Sequence, residues 1–134
     1  MFVMNKLMTV ALCVLVLVSL GNVSAEAIEL NPSNFDKIVK DSSKNVFVKF
    51  YAPWCGHCNN MKPEWDKLAE AYPVSGKTII ASLNADEFKT IAANSNVYGY
   101  PTLIYYPKGN KTGVHYDGER SISAFKKFMA DNTK

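Results

Sequence analysis

The sequence predicts an α/β fold in which a central mixed β-sheet is flanked by helices on both faces. Runs rich in β-branched and aromatic residues alternate with segments whose apolar residues recur at helical spacing. The last two strand-like runs are separated by a short turn at 107–110, which predicts an antiparallel hairpin. Strand–helix alternation that ends in a hairpin is typical of a mixed sheet with both faces covered.

The elements are expected in the order β-α-β-α-β-α-β-β-α. We expect strands at residues 27–30, 46–51, 78–83, 102–106 and 113–116. We expect helices after an N-cap at Asn31 with Pro32 in the first turn, at 55–71, at 86–93, and after an N-cap at Ser121. With 134 residues, 48% of them hydrophobic, the chain has room for one domain and one core.

The first 25 residues have the pattern of a cleaved signal peptide. Lys6 precedes an apolar run at 7–20, and the small residues that end the segment 21–25 predict cleavage after Ala25. A membrane anchor is the alternative, but a span needs about 20 apolar residues and this run is shorter. We therefore expect residues 26–134 to form the mature domain, in the endoplasmic reticulum lumen or elsewhere in the secretory pathway. Residues 130–134 do not form a Lys-Asp-Glu-Leu-type signal, so secretion is a further expectation.

The charge pattern argues against nucleic acid as a partner. The net charge is +3, and no stretch concentrates Lys and Arg. We expect a monomer that has no stable membrane association once the first segment is removed.

Cysteine use indicates redox chemistry. Cys13 lies in the predicted signal peptide, which leaves Cys55 and Cys58, three positions apart. Closing so small a loop constrains the unfolded chain little, so this pair would be a poor structural disulfide. A zinc site would need four ligands, and beyond His57 the only other histidine is His115, on the predicted hairpin.

The segment Cys55-Gly56-His57-Cys58 carries the predicted chemistry. It follows a strand and opens a helix, which is the context that makes a Cys-x-x-Cys pair informative. Unpaired N–H groups and the helix dipole favour a thiolate at Cys55, which makes it the attacking sulfur. Cys58, one helical turn later, resolves the mixed disulfide. His57 adds a potential positive charge that stabilises the reduced form and makes the disulfide a better oxidant.

Three motifs resemble those of the protein disulfide isomerase family. KFYAPWCGHC at 49–58 is similar to its active-site signature, GYPTLIYYPKG at 99–109 to its cis-proline loop, and YDGER at 116–120 to the segment before its last helix. The resemblance covers residues 26–134 and implies a thioredoxin-like fold without a cofactor. It also implies an enzyme that forms, reduces and rearranges disulfides in cysteine-containing secretory proteins. Glutathione or an upstream oxidase would recycle it.

The resemblance assigns roles outside the cysteine pair. It implies that the Tyr100–Pro101 bond is cis and faces the cysteines, and that an extended substrate pairs with the Tyr100 backbone. Trp54 would be an apolar platform beside the sulfurs, and Arg120 would swing toward Cys58 and lower its pKa. An ordinary strand-start proline, a half-buried tryptophan and an exposed loop arginine remain the alternatives.

Lys49 departs from the family pattern, which commonly has a buried glutamate that accepts the proton of the resolving cysteine. Charged lysine cannot accept a proton, and its burial is costly. Either Lys49 is partly neutral and acts as the base, or its ammonium extends outward to water; the second is our expectation.

Two further expectations concern modification and competing functions. Asn110-Lys111-Thr112 is an N-glycosylation acceptor sequence on the predicted hairpin. A secreted thioredoxin-like reductant and a redox-dependent chaperone or binding module are the alternative functions. Gly56-His57 resembles the oxidising end of the family, where the reduction potential is about −180 mV, compared with about −270 mV for thioredoxin.

Overall fold

The computed structural model describes residues 26–133, and this part of the chain contains five strands and four helices. In chain order they are β1 (Ile28–Leu30), α1 (Phe35–Val39), β2 (Asn45–Tyr51), α2 (Gly56–Ala71), β3 (Thr78–Asn84), α3 (Lys89–Asn94), β4 (Thr102–Tyr106), β5 (Val114–Tyr116) and α4 (Ile122–Asn132). The predicted order of elements is confirmed. The predicted signal peptide at 1–25 lies outside the described residues.

The strands form one five-stranded sheet in the order β1-β3-β2-β4-β5. Strands β1, β3 and β2 are mutually parallel, whereas β4 is antiparallel to β2 and β5 is antiparallel to β4. The predicted mixed sheet is therefore confirmed. Strand β2 lies at its centre, and every one of its residues except the last is buried.

Alternate residues of β2 point to two separate hydrophobic layers. Phe47 packs with Trp65 of α2 and Phe125 of α4, at ring-centroid distances of 4.9 and 6.0 Å. Val48 and Phe50 belong to the opposite layer, which includes residues of α1 and α3. Helices cover both faces, as predicted, and residues on both sides of β2 are buried. The Trp65 indole N–H donates a hydrogen bond to the Ala81 carbonyl at 3.0 Å, which fixes α2 against β3.

Two helices begin later than predicted. The side chain of Asn31 accepts hydrogen bonds from the N–H groups of Ser33 and Asn34, so residues 31–34 form a turn and α1 begins at Phe35. The Asn84 side chain likewise accepts from the Glu87 N–H, and α3 begins only after this turn. In both places an asparagine caps a turn before the helix.

Within residues 26–133, no helix combines the length and the apolar character that crossing a bilayer requires.

Candidate active site

The two remaining cysteines lie at the junction between β2 and α2. Strand β2 ends at Tyr51, and a short link leads to Cys55, the N-cap residue of α2. The Cys55 N–H donates to the Ala52 carbonyl at 3.1 Å, and its Sγ accepts from the Cys58 N–H at 3.2 Å. The sulfur therefore occupies the place of a capping oxygen and satisfies one of the first-turn N–H groups.

This position favours negative charge on the Cys55 sulfur. The 16 residues of α2 direct the positive end of their dipole toward the cap. The N–H group of Cys58 contributes a direct hydrogen bond to the same sulfur. The Cys55 sulfur therefore lies at the positive end of α2 and within reach of a first-turn N–H donor, and its role as the attacking sulfur remains a prediction.

The second cysteine lies in a different environment. Cys58 is 2% exposed, and burial, together with a hydrogen bond to the Cys55 side chain, raises its pKa to about 11. The Ala52 backbone and the Lys49 charge act in the opposite direction without overcoming burial. Both thiols are free. Both cysteines are buried, with exposed fractions of 7% for Cys55 and 2% for Cys58. The pair is asymmetric in its contacts: the Cys55 sulfur caps α2, whereas the raised pKa of Cys58 keeps its thiol protonated at neutral pH.

Aromatic side chains surround the cysteine pair. Tyr51 and Tyr100 pack against the small cluster formed by the cysteines and Ala52. Trp54 is 68% exposed, and its ring meets that of Tyr100 edge-on at a centroid distance of 5.7 Å.

The loop before β4 also reaches this site. The Tyr100–Pro101 peptide bond is cis, as the family resemblance implies. Thr102 of β4 pairs with Phe50 near the end of β2, which brings the loop to the edge of the sheet where the cysteines lie. The structure thus brings together the cysteines and the predicted substrate-binding residues Trp54 and Tyr100.

Arg120 lies apart from Cys58. It is exposed and lines a depression of about 270 Å³ together with His57, Asn60, Met61 and Glu64. Cys58 does not line this depression, so Arg120 is on the His57 side of α2. The predicted swing of Arg120 toward Cys58 remains a prediction.

Lys49 does not extend to the outer surface, contrary to our expectation. It is 4% exposed, because it lies in the central strand beneath α2, and its Nζ is 5.3 Å from the centre of the Tyr51 ring. Burial lowers its pKa, and the Asp66 carboxylate partly opposes this effect. Lys49 and Cys58 line the same cavity.

Beside this cavity lies a residue pair that was not predicted from the sequence. Tyr51, which reads as a core residue, donates a hydrogen bond from its hydroxyl to Oε1 of Glu29 at 2.9 Å. Glu29 is the one charged residue of β1, and a charged residue within a strand was the feature of the sequence that could have drawn attention to it. Its proximity to Lys49 could not be predicted without the pairing of both strands with β3.

Across residues 26–133, no group of three or more His, Cys, Asp or Glu side chains is arranged to hold a metal ion.

Comparison with known proteins places the sequence pattern in context. The family model described as thioredoxin matches residues 26–131. The chain is similar to protein disulfide isomerase-like 2-2 of Oryza sativa subsp. japonica, at 46% identity over 112 residues that cover 84% of this chain and 30% of the relative. It is also similar to protein disulfide-isomerase 1 of Dictyostelium discoideum, at 40% identity over 98% of this chain and 36% of that protein. The chain therefore spans about a third of the length of these two relatives.

A solved structure shares the architecture. The first thioredoxin domain of mouse protein disulfide-isomerase A4 superposes with a TM-score of 0.66 and 32% identity, over 79% of this chain and 74% of the mouse chain. The thioredoxin-like arrangement predicted from the three motifs is confirmed by this match and by the sheet order.

Proposed function

Because this chain belongs to the thioredoxin family, we propose that it is a thiol–disulfide oxidoreductase of the protein disulfide isomerase type. It forms, reduces and rearranges disulfides in proteins of the secretory pathway. The observation that carries the proposal is the asymmetry of the cysteine pair. The Cys55 sulfur accepts a hydrogen bond from the Cys58 N–H at the start of α2, whereas the Cys58 thiol has its pKa raised to about 11.

The asymmetry gives each sulfur a step in disulfide exchange. In the reducing direction, the Cys55 thiolate attacks a substrate disulfide, forms a mixed disulfide and releases one substrate thiolate. Cys58 then loses its proton and attacks the Cys55 sulfur, which releases the second substrate thiolate. Cys55 and Cys58 end as a disulfide, and the substrate has gained two electrons. Substrate oxidation is the same sequence in reverse.

The surrounding side chains supply substrate contact in this proposal. Trp54 presents an exposed ring, and Tyr100 joins it to the cysteine cluster. An extended cysteine-containing peptide would lie across this surface and pair with the backbone at Tyr100 and Pro101. Gly56, the first residue of α2, has open space where a Cβ would be, so the peptide can approach closely.

Neighbouring charged groups set the redox balance. A protonated His57 would stabilise the reduced form, and Lys49 acts on Cys58 as a buried cation. Arg120 would have to move from the His57 side of the helix to act on Cys58. Glutathione or an upstream oxidase would recycle the pair, and we propose a monomer.

The proposed location is the endoplasmic reticulum lumen or another part of the secretory pathway, with residues 26–134 as the catalytic domain. The apolar run at 7–20 and the cleavage pattern before Glu26 support this location. Detection of the mature chain beginning at Glu26 in a secretory compartment would test it.

The deciding experiment is the reduction potential of the Cys55–Cys58 couple. The mature chain is equilibrated with glutathione buffers, and the oxidised fraction is measured after alkylation. A reduction potential of about −180 mV supports an oxidant or isomerase, whereas a reduction potential of about −270 mV supports a reductant. These values differ by about 4 kcal/mol, so the result is unambiguous.

A variant with both cysteines replaced by serine addresses the binding-module alternative. An oxidoreductase loses its effect on substrate disulfides completely, whereas a binding module retains its effect on substrate aggregation. A parent chain that does not exchange with glutathione contradicts the proposed function.

A further inference from the structure

A cavity on the side of Cys58 opposite the Arg120 depression has no role in the function proposed above. Its volume is about 330 Å³, and its lining includes Cys58, Lys49, Tyr51 and Glu29. A water molecule occupies about 30 Å³ of liquid, so this space can hold several. The buried thiol therefore lines a space large enough for water together with ionisable groups that the active-site motif does not contain.

The resolving step needs a proton acceptor at this place. Cys58 is 2% exposed, and its pKa of about 11 keeps the thiol protonated at neutral pH. Lys49, the one charged residue of β2, is a cation and cannot accept a proton while it remains charged. An acceptor must therefore come from a neighbouring element.

Glu29 reaches the cavity because of the sheet register. Glu29 of β1 and Lys49 of β2 are both paired with Ser82 of β3, so the three side chains lie in one row on one face. Tyr51 lies two residues after Lys49 on the same face, and its hydroxyl holds the Glu29 carboxylate at 2.9 Å. The Tyr51 ring also packs against the cysteine cluster, so one side chain contacts both groups.

The other two carboxylates of the cavity are less suited to this role. Asp66 of α2 is bonded to Lys62 at 2.6 Å, and a carboxylate stabilised by an ammonium is a weaker base. Glu26, at the start of the described chain, also lines the cavity and is exposed, as Glu29 is. Only Glu29 has a described hydrogen bond from a side chain that packs against the cysteines.

We propose that Glu29, held by Tyr51, accepts the proton of Cys58 through the cavity when Cys58 resolves the mixed disulfide. This inference rests on the proposed exchange function and names the group that serves its second step. The Cys58 proton moves through the cavity solvent to the Glu29 carboxylate. The Cys58 thiolate then attacks Cys55, the bond between Cys55 and the substrate sulfur breaks, and the substrate leaves as a thiolate. Glu29 lies at the exposed rim of the cavity and returns the proton to bulk water.

The charges around Glu29 determine the pH range of this step. Burial raises the Glu29 pKa above its ordinary value, while the Tyr51 hydrogen bond and the Lys49 and Lys62 charges lower it in part. Glu87, after β3, adds repulsion that raises it further. Resolution should therefore slow as pH falls through the raised pKa of Glu29, because the carboxylate becomes protonated and can no longer accept a proton.

The test separates attack from resolution in the mature chain. Resolution is measured as the lifetime of the mixed disulfide with a short peptide disulfide, by rapid acid quench between pH 5 and 11. Attack is measured alone in the Cys58→Ser background, where the mixed disulfide accumulates. The variants are Glu29→Gln, Tyr51→Phe and, as a matched control from the same cavity, Glu26→Gln.

We expect Glu29→Gln to lengthen the lifetime of the mixed disulfide about tenfold at pH 7, which is less than the roughly 10²–10⁴-fold of a general base in direct contact, because the transfer passes through solvent. Tyr51→Phe should lengthen it less. The lifetimes of the mixed disulfide in the parent and in Glu29→Gln should become equal near pH 11, because Cys58 ionises there without an acceptor. Glu26→Gln should match the parent throughout, and Glu29→Gln should not change attack in the Cys58→Ser background.

Three results would overturn the inference. These are an unchanged lifetime in Glu29→Gln, an equal effect of Glu26→Gln, or an equal slowing of attack and resolution. A parent chain that forms no mixed disulfide overturns the proposed exchange function, and the inference with it. That outcome is distinguishable because it affects the parent as well as the variants.

Discussion

The Sγ atom of Cys55 lies 3.2 Å from the backbone nitrogen of Cys58 and accepts its hydrogen bond. In most helices this first-turn N–H is capped by a serine, threonine or aspartate oxygen. Here the capping atom is also the predicted nucleophile, so the helix stabilises the sulfur most strongly when it is an anion. The Cys58 sulfur caps no helix, and its pKa is raised to about 11, so we expect the two thiols to differ in reactivity.

The first prediction concerns this difference in reactivity. With the reduced chain at pH 7, iodoacetamide should modify Cys55 and leave Cys58 largely unmodified, because the pKa of Cys58 is raised to about 11. Peptide mass spectrometry after brief labelling measures the ratio. Cys58→Ser should accumulate a mixed disulfide with substrate, whereas Cys55→Ser should form none. Equal labelling of both thiols would contradict the assignment of attacking and resolving cysteines.

The second prediction concerns Lys49 as a buried cation. In the Cys55→Ser background, Lys49→Met should raise the pKa of Cys58, because the Lys49 charge lowers it in the parent. Alkylation of Cys58 at pH 8 should become about three- to tenfold slower, which corresponds to a shift of about 0.5 to 1 pKa unit. Lys62→Met is the control, since Lys62 lines the same cavity but is bonded to Asp66.

A further variant addresses the idea that Lys49 itself is the base. Lys49→Glu supplies a carboxylate in its place, and single-turnover oxidation is followed at several pH values. An unchanged profile would exclude a role for Lys49 as proton acceptor.

The third prediction concerns the exposed aromatic surface. Trp54→Ala should raise KM for a peptide dithiol several-fold with a smaller effect on kcat, because the ring contacts substrate without taking part in exchange. Tyr98→Ala is a matched control: Tyr98 is 85% exposed, but its hydroxyl is directed to Asn96. Steady-state oxidation of a fluorescent peptide measures both. A similar increase of KM in the two variants would argue against a specific platform at Trp54.

Local chemistry explains which parts of the site were predictable. The start of α2 follows from a strand, a short link and Cys55-x-x-Cys58, all within a short stretch of sequence. The start of α1 was predicted too early, because the Asn31 side chain could cap either a helix or a turn, and the pattern does not distinguish them. The row formed by Glu29, Ser82 and Lys49 was not predictable, since it depends on the parallel register of strands distant in sequence. The expectation for Lys49 failed because α2 packs over β2 and buries this side chain, and that packing is not readable from the local sequence.

The fourth prediction concerns the hairpin that completes the sheet. Gly113 has a φ of +91°, and a Cβ there would lie 2.6 Å from Cγ2 of Ile104 and 2.7 Å from a ring carbon of Tyr106. Gly113→Ala should lower the free energy of unfolding by roughly 1–3 kcal/mol, because both the backbone conformation and the packing are unfavourable for alanine. Gly109→Ala, with open space at the same hairpin, should change it far less. Urea denaturation measures both, and equal midpoints for the two variants would contradict the packing argument.

The fifth prediction concerns glycosylation of Asn110. The side-chain oxygen of this exposed residue accepts hydrogen bonds from the N–H and the hydroxyl of Thr112, and the hairpin turn presents it to solvent. Tyr106 pairs with Val46 at the start of β2, whereas the cysteines follow the end of β2. Asn110 comes shortly after Tyr106, so it lies at the opposite end of the strands from the active site. Expression through a eukaryotic secretory pathway should therefore add an N-glycan that endoglycosidase removes and that Asn110→Gln abolishes, with the rate of disulfide exchange unchanged. A chain that passes through the secretory pathway without this mass increase would contradict the prediction. A glycan that slows exchange would contradict the placement of Asn110 away from the site.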